Sequence, residues 1–323
     1  MKKKRILFTS ELPGNSFKEN LNHNEFEIFL AEDIEGETLQ KKVEKVNPSG
    51  IIALLSDKID KNVIDSAPAL EVISNYAVGY NNIDVTYCHE KGIYVTNTPD
   101  VLTDATADIA ILLILMVSRR AVSSDRFVST GHFKGWGPQL FVGKSLQNKK
   151  LGIIGMGRIG LAVAKRAVAF GMDVIYCNRN KVEKEKEKAV NAQYVEIEQL
   201  LKESDFISLH LPYTPEVNHL IGKNEFGIMK KDAVLINTAR GPLVDEKALC
   251  EALISGEIYG AGLDVYENEP AVEKGLMDLE NVVLLPHIGS ATEETRSEMA
   301  EMAISGCISV LSGSVPENIV KPF

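Results

Sequence analysis

The 323 residues carry 45 acidic and 35 basic side chains, a formal net charge of −10, with 45% hydrophobic and 25% charged residues. That composition describes a globular chain long enough for two domains with separate cores, and it supplies no overall basic field for nucleic acid or an anionic membrane. Cys88, Cys177, Cys250 and Cys307 are far apart, without zinc or redox spacing, which fits free thiols in a reducing, cytoplasmic compartment. No signal peptide is expected, because the N-terminal apolar run is soon interrupted and no small-residue cleavage site follows.

Over the first hundred residues β-rich runs alternate with helical stretches. The runs are RILFTS (5–10), FEIFLA (26–31), GIIALL (50–55), LEVISNY (70–76) and GIYVTNT (92–98), with segments such as GETLQKKVEKV between them. Short apolar strands spaced by helices predict a mainly parallel sheet covered by helices. Pro99 breaks the pattern, and 101–120 predicts a long helix capped by Thr103 or Asp104, with Arg119 and Arg120 at its negative end. Its apolar centre IAILLILMV (109–117) is about half the roughly 20 residues of a membrane span. Being apolar on nearly every face, it has to be enclosed by a domain junction, a subunit contact or both. Residues 121–147, with GHFKGWGPQLFVGKS, have the Gly and Pro content of a long ordered loop.

From Lys149 a second series begins: KLGIIGM, MDVIYCN, DFISLHL, AVLINTA, YGAGLDV and VVLLPHI are strands separated by helical stretches, the pattern of a doubly wound sheet. KVEKEKEK (181–188) reads as an exposed helix face without a chemical role. Residues 291–313 read as an amphipathic helix. The expected architecture is α/β with two doubly wound domains: a substrate domain of 1–100 plus 289–323, and an inserted nucleotide domain over 101–288.

GMGRIG (155–160) has the form G-x-G-x-x-G, follows a strand and opens a helix that leads to a second strand, the context of a dinucleotide fingerprint. Gly155 serves the tight turn, Gly157 the close approach of backbone to a pyrophosphate, and Gly160 the packing of helix on strand. At the end of MDVIYC, where such folds place a carboxylate for the ribose hydroxyls, stand neutral Asn178 and then Arg179 and Lys181. Their charge suits a 2′-phosphate and favours NADP(H) over NAD(H), unless Arg179 stacks on adenine or lies in solvent. Arg240, Glu269 and His287 each follow a strand end, where ligands bind in open α/β sheets. The remaining histidines, His210 apart, read as surface or loop residues with no metal-ligand spacing.

These segments, with AVGYNNID (77–84), TNTPDVLTDATAD (96–108), NTARGPLVDE (237–246), GAGLDVYENEP (260–270) and LLPHIGSAT (284–292), resemble the D-isomer-specific 2-hydroxyacid dehydrogenases over nearly the whole chain. ALLSDKID (53–60) and GWGPQLFVGKSL are most similar to the glyoxylate and hydroxypyruvate reductase branch. The resemblance implies that Arg240 holds the substrate carboxylate, His287 is the acid/base and Glu269 hydrogen-bonds it. It implies backbone N–H groups around Val78 and Gly79 at the carboxylate, and Asp264 on the nicotinamide carboxamide. Thr106, Gly155, Gly157, Arg158, Ile159, Gly160, Asn178, Arg179, His210, Leu211, Pro212, Thr238, Ala239 and Gly289 would line the cofactor. His210 has an equally good reading as a structural residue at a strand end.

In the resembled branch the loop with Trp136 reaches a dimer partner's substrate pocket, which makes Trp136 a specificity residue or a loop anchor. Leu55 is an apolar pocket wall or ordinary core. The implied reaction is reduction of a small 2-keto acid, glyoxylate or hydroxypyruvate, by NADPH in a homodimer, with the site in the interdomain cleft. D-3-phosphoglycerate dehydrogenase and a dinucleotide-sensing, corepressor-like binding protein are the alternatives.

Overall fold

The structure, a computed structural model, describes residues 3–14 and 24–321; His23 lies outside them. The chain divides into two compact units, one formed by Met1–Leu102 with Ser290–Phe323 and the other by the continuous Thr103–Gly289.

In unit 1, β1 (Lys4–Phe8), β2 (Phe26–Leu30), β3 (Gly50–Leu54), β4 (Val72–Tyr76) and β5 (Tyr94–Thr96) form one parallel sheet in the order β2-β1-β3-β4-β5. This is the flavodoxin-like order 2-1-3-4-5. The central strands are buried almost throughout because helices cover both faces, so they show no alternation of exposure, and Ser74 and Asn75 of β4 are buried polar residues. The helix Glu293–Leu311, started by the Thr292 side chain accepting from the Thr295 N–H, returns the chain to this sheet. It lies so close that a Cβ on Gly50 would stand 2.6 Å from Cys307 Sγ, and the Ser74 hydroxyl donates to the Ala303 carbonyl at 2.6 Å.

In unit 2, seven parallel strands follow: β6 (Lys150–Ile154), β7 (Asp173–Cys177), β8 (Gln193–Tyr194), β9 (Phe206–Leu209), β10 (Val234–Asn237), β11 (Gly260–Leu263) and β12 (Val282–Leu284). Their order β12-β11-β10-β9-β6-β7-β8 is that of a Rossmann sheet with one further strand at the β12 edge. The apolar helix spans Thr103–Ser118, and unit 2 itself buries most of it: it packs on β10, β11 and the helix Arg158–Ala169. Gly260 and Gly262 permit that approach, since a Cβ on Gly262 would lie 2.9 Å from Leu113 Cβ. Enclosure by a junction or a second subunit is therefore not required for this helix, and only Leu112 among its large side chains is exposed. Among the described residues no helix is long and apolar enough to cross a membrane.

Two segments differ from the sequence reading. Residues 121–147 are not loop throughout, because Ala121–Ser129 is a helix, entered through Arg120 in the left-handed conformation. The charged run 181–188 is exposed but not inert: Glu187 accepts from the Tyr176 hydroxyl at 2.5 Å, and Lys181 lies over the Tyr194 ring at 4.8 Å.

Packing of β6 on the helix Ile197–Glu203 depends on Gly152, whose Cβ would stand 2.2 Å from Ser204 Oγ and 2.6 Å from Leu200 Cδ2. Gly152→Val is expected to destabilise unit 2 by about 2–3 kcal/mol through overpacking. Gly227→Ala, in a helix where nothing lies within 4 Å of the added carbon, should instead stabilise it slightly. Thermal melts of the two variants compared with the parent check both signs.

Candidate active site

The glycine-rich turn joins β6 to the helix Arg158–Ala169. Gly155 adopts φ 97°, and any Cβ there would meet the His210 carbonyl group at 2.7 Å. A Cβ on Gly160 would lie 2.5 Å from the Gly155 oxygen, so the helix can begin this close to the strand only with glycine. Gly157 faces open space and no side chain caps the helix it begins. An uncapped N-terminus beside an open glycine suits a phosphate, since first-turn N–H groups and the helix dipole both favour an anion. Close by in the fold, after β10, the Thr238 hydroxyl is buried and has no hydrogen-bond partner among the described residues. These features fit a dinucleotide, with Arg158, Ile159 and Gly160 in the first turn.

The ribose corner contains a detail that residue type alone does not reveal. Asn178 is half-buried, and its Oδ1 accepts from the Met156 N–H at 2.6 Å. That bond orients the carboxamide with its oxygen toward the glycine turn and its Nδ2 donor away from it. Arg179 is exposed, and its positive charge contributes to holding Glu216 below the usual carboxylate range, after the larger effect of the Thr214 hydroxyl. Lys181 is taken up by Tyr194.

Arg240, Glu269 and His287 all lie in unit 2, after β10, β11 and β12. His287 Nδ1 and Glu269 Oε2 are 2.9 Å apart, and the other carboxylate oxygen, Oε1, accepts from the Tyr266 N–H at 2.9 Å. Burial pushes the Glu269 carboxyl up, but the His287 and Tyr266 hydrogen bonds and the charges of His287 and Arg240 outweigh it, leaving Glu269 below the usual range. It is an anion aimed at one ring nitrogen of the histidine. Arg240 is desolvated, which lowers its pKa, and Glu269 is its nearest stabilising charge; its Nη1 donates to the Ala239 carbonyl at 2.6 Å. A guanidinium remains charged even so, with a fork that matches a carboxylate.

Two buried side chains that the sequence reading did not assign to this job hold these loops. Asn237, 1% exposed, accepts from the Ala239 N–H at 3.0 Å and donates to the Arg240 carbonyl at 2.8 Å, so its carboxamide templates the turn through Thr238 and Ala239. Glu246, 5% exposed, accepts from the Glu267 N–H at 2.7 Å and fixes the loop carrying Glu269. Both follow apolar runs, and an Asn or Glu beside a strand end gives no sign of facing inward.

Asp264 follows β11 and is buried. Its two oxygens accept from the Ile288 and Gly289 N–H groups, each at 2.7 Å, which makes it the brace of the turn that carries His287. Burial raises its carboxyl in spite of those bonds. Thr106 stands beside it: a Cβ on Gly289 would be 3.2 Å from Asp264 Oδ2 and 3.5 Å from the Thr106 side chain. Ala239 and Leu211 belong to the unit 2 core or its edge, while Pro212 is exposed.

Leu55, Val78 and Gly79 are in unit 1, Leu55 as an exposed residue just after β3 and the other two half-buried after β4. Trp136 is 85% exposed, so it anchors no core of this chain. His219 is in a loop but paired, its Nε2 2.7 Å from Glu267 Oε1, and His89 belongs to a helix with its Nε2 3.2 Å from the Val320 carbonyl.

His210 follows β9 with Nε2 2.8 Å from Ser208 Oγ, and desolvation by the surrounding protein pushes its pKa down to about 3. The unfolded chain, at the ordinary 6.5, binds the extra proton between these values, so this group's stability is complete above pH 6.5 and falls as pH drops toward 3. Between pH 7 and pH 5 the parent should lose about 2 kcal/mol more unfolding free energy than His210→Gln, measured by denaturant titration.

Residues 111–289 match the family model for the D-isomer specific 2-hydroxyacid dehydrogenase, NAD binding domain. A glyoxylate reductase of Thermococcus litoralis is 48% identical over 324 residues, covering 99% of this chain and 97% of the relative. Among solved structures, a glyoxylate reductase from Paecilomyes thermophila superposes with a TM-score of 0.88 at 34% identity, covering 99% of each chain. An NADPH-dependent glyoxylate/hydroxypyruvate reductase from Sinorhizobium meliloti, in complex with NADP and malonate, gives 0.86 at 32% identity, covering 99% of this chain and 97% of that one. With a Rossmann unit whose strand ends carry Arg240 and a Glu269–His287 pair, and with this likeness along its whole length, the chain belongs to the D-isomer-specific 2-hydroxyacid dehydrogenases and is an oxidoreductase of that family.

Proposed function

We propose that the protein reduces a small 2-keto acid, glyoxylate or hydroxypyruvate, to the D-2-hydroxy acid, with NADPH preferred over NADH. The observation that carries the chemistry is the 2.9 Å contact of His287 Nδ1 with the Glu269 carboxylate, in a site that also contains the Arg240 guanidinium. Bound NADPH supplies the hydride. His287 holds a proton on Nε2 and releases it to the carbonyl oxygen, and the Glu269 carboxylate stabilises the charged ring and fixes its orientation. Arg240 binds the substrate carboxylate through parallel hydrogen bonds and polarises the keto oxygen. Unit 1 acts as the substrate domain and unit 2 as the cofactor domain, with the N–H groups of Val78 and Gly79 as further donors to the carboxylate. Named relatives that are glyoxylate reductases support this substrate class.

The cofactor preference rests on hydrogen-bond polarity. A ribose 2′-hydroxyl is recognised by an acceptor, whereas a 2′-phosphate needs donors. Asn178 has its oxygen engaged by Met156, so the corner offers the Nδ2 and the Arg179 guanidinium, both donors. An NADPH-dependent relative in complex with NADP agrees with that choice. A second copy of this chain would cover the apolar side chains exposed on 121–142, Val122, Val128, Phe133, Trp136 and Val142 among them, giving a homodimer in which Trp136 serves the partner's pocket. Four free cysteines suit a reducing cytoplasm.

His287→Ala should lower kcat for glyoxylate about 10²- to 10⁴-fold with an unchanged melting temperature. Full turnover in single-turnover reduction would remove the assigned proton donor. Arg179→Ala should cost NADPH about tenfold or more in kcat/KM and NADH little. Asn178→Asp keeps an oxygen for the Met156 N–H and adds an acceptor for ribose, so it should shift preference toward NADH; equal use of both cofactors by parent and variants would sink the assignment.

A further inference from the structure

In unit 1 the loop that follows β4 is held by an unusual arrangement of donors. The carbonyl of Ala77 accepts from the Thr98 N–H at 3.0 Å, that of Val78 from Asn97 Nδ2 at 2.7 Å, and that of Gly79 from Asn75 Nδ2 at 2.7 Å. Three successive carbonyls are thus turned toward the same buried wall. In a trans peptide the carbonyl of one residue and the N–H of the next point in opposite directions. Fixing the Ala77 and Val78 carbonyls inward therefore fixes the Val78 and Gly79 N–H groups outward, and neither has an acceptor among the described residues. Two adjacent N–H groups without partners form a small anion-binding concavity.

The two carboxamides are themselves immobilised. Asn75 is fully buried and exchanges hydrogen bonds with Asn82, whose Nδ2 also donates to the carbonyls of Leu54 and Asp57. Asn97 is clamped by the segment near the end of the chain: its N–H donates to the Asn318 carbonyl at 3.2 Å, and Asn318 Nδ2 donates to the Asn97 carbonyl at 2.7 Å. That segment continues as a bridge between Thr96 and Ile319 and a hydrogen bond from the Val320 N–H to the Val95 carbonyl. The side chain of Asn97 has one rotatable path to Val78, and Asn318 fixes where that path begins.

We infer that Asn97, clamped by Asn318, and Asn75 are positioning residues that preset the Val78 and Gly79 N–H groups for the substrate carboxylate. This rests on the reading of those two N–H groups as carboxylate donors. None of the three asparagines touches substrate; each acts by orienting a peptide plane before the anion arrives, so that no reorganisation is needed on binding.

The test compares glyoxylate with glycolaldehyde, which presents an aldehyde carbon without a carboxylate. Asn97→Ala should raise KM for glyoxylate about tenfold, and Asn318→Ala about threefold. Both should leave glycolaldehyde kinetics and the Kd for NADPH at parent values. Loss of equal size with both substrates would reduce Asn97 to a structural residue and overturn the inference, as would an unchanged KM for glyoxylate. If Asn97→Ala fails to fold, Asn318→Ala decides on the same criteria. A parent enzyme whose KM is the same for both substrates would instead remove the underlying reading of Val78 and Gly79, an outcome visible before any variant is made.

Discussion

The pairing of the His287 ring with a carboxylate requires the ring to be held in one orientation, and here its own backbone resists. His287 sits at φ 55°, a left-handed conformation that a non-glycine residue adopts at a cost of about 1–3 kcal/mol. The Asp264 carboxylate stabilises it by accepting from the N–H groups of the two residues that follow, while Glu269 takes the ring nitrogen. One carboxylate fixes the main chain and the other fixes the side chain. Their environments separate them accordingly: burial and the neighbouring Glu269 charge raise Asp264, whereas the hydrogen bonds from His287 and the Tyr266 N–H, with Arg240 beside them, outweigh burial and lower Glu269.

A related device recurs at several strand ends. Asn237 templates the turn to Arg240, Asn178 ties the glycine turn to the end of β7, and Asn75 with Asn97 turns the loop after β4. A parallel sheet brings every strand's carboxyl end to one edge, so function collects in short loops whose carbonyl and N–H groups have lost the ladder. A carboxamide carries a donor and an acceptor on one rigid plane, enough to replace both lost partners at once. These asparagines do for loops what a neighbouring strand does for a strand, and they choose which backbone groups remain free for a ligand.

Much of the fold was legible because parallel strands buried on both faces are written as continuous apolar runs, and because GMGRIG follows one of them. That Arg240, Glu269 and His287 would stand just after strands was readable from the apolar runs before them. What stayed hidden was direction. The sequence does not show that Asp264 braces the Ile288 and Gly289 N–H groups, Glu246 looks like a helix-start acid but is buried under the Glu269 loop, and the helix Ala121–Ser129 begins inside a stretch whose later Gly and Pro residues dominate its composition. Side-chain orientation is decided by partners that are distant in sequence, and the local pattern contains no record of them.

Asn178 shows how far that distinction reaches into chemistry. As a residue it is neutral and bifunctional, able to accept from a ribose hydroxyl or donate to a phosphate. The Met156 N–H biases that choice by holding Oδ1 toward the glycine turn. Since a buried donor left unpaired costs about 1–3 kcal/mol, rotating the amide to face the cofactor with its oxygen would strand the Met156 N–H and is disfavoured by that amount. The orientation of the carboxamide is therefore a property of the glycine turn as much as of Asn178.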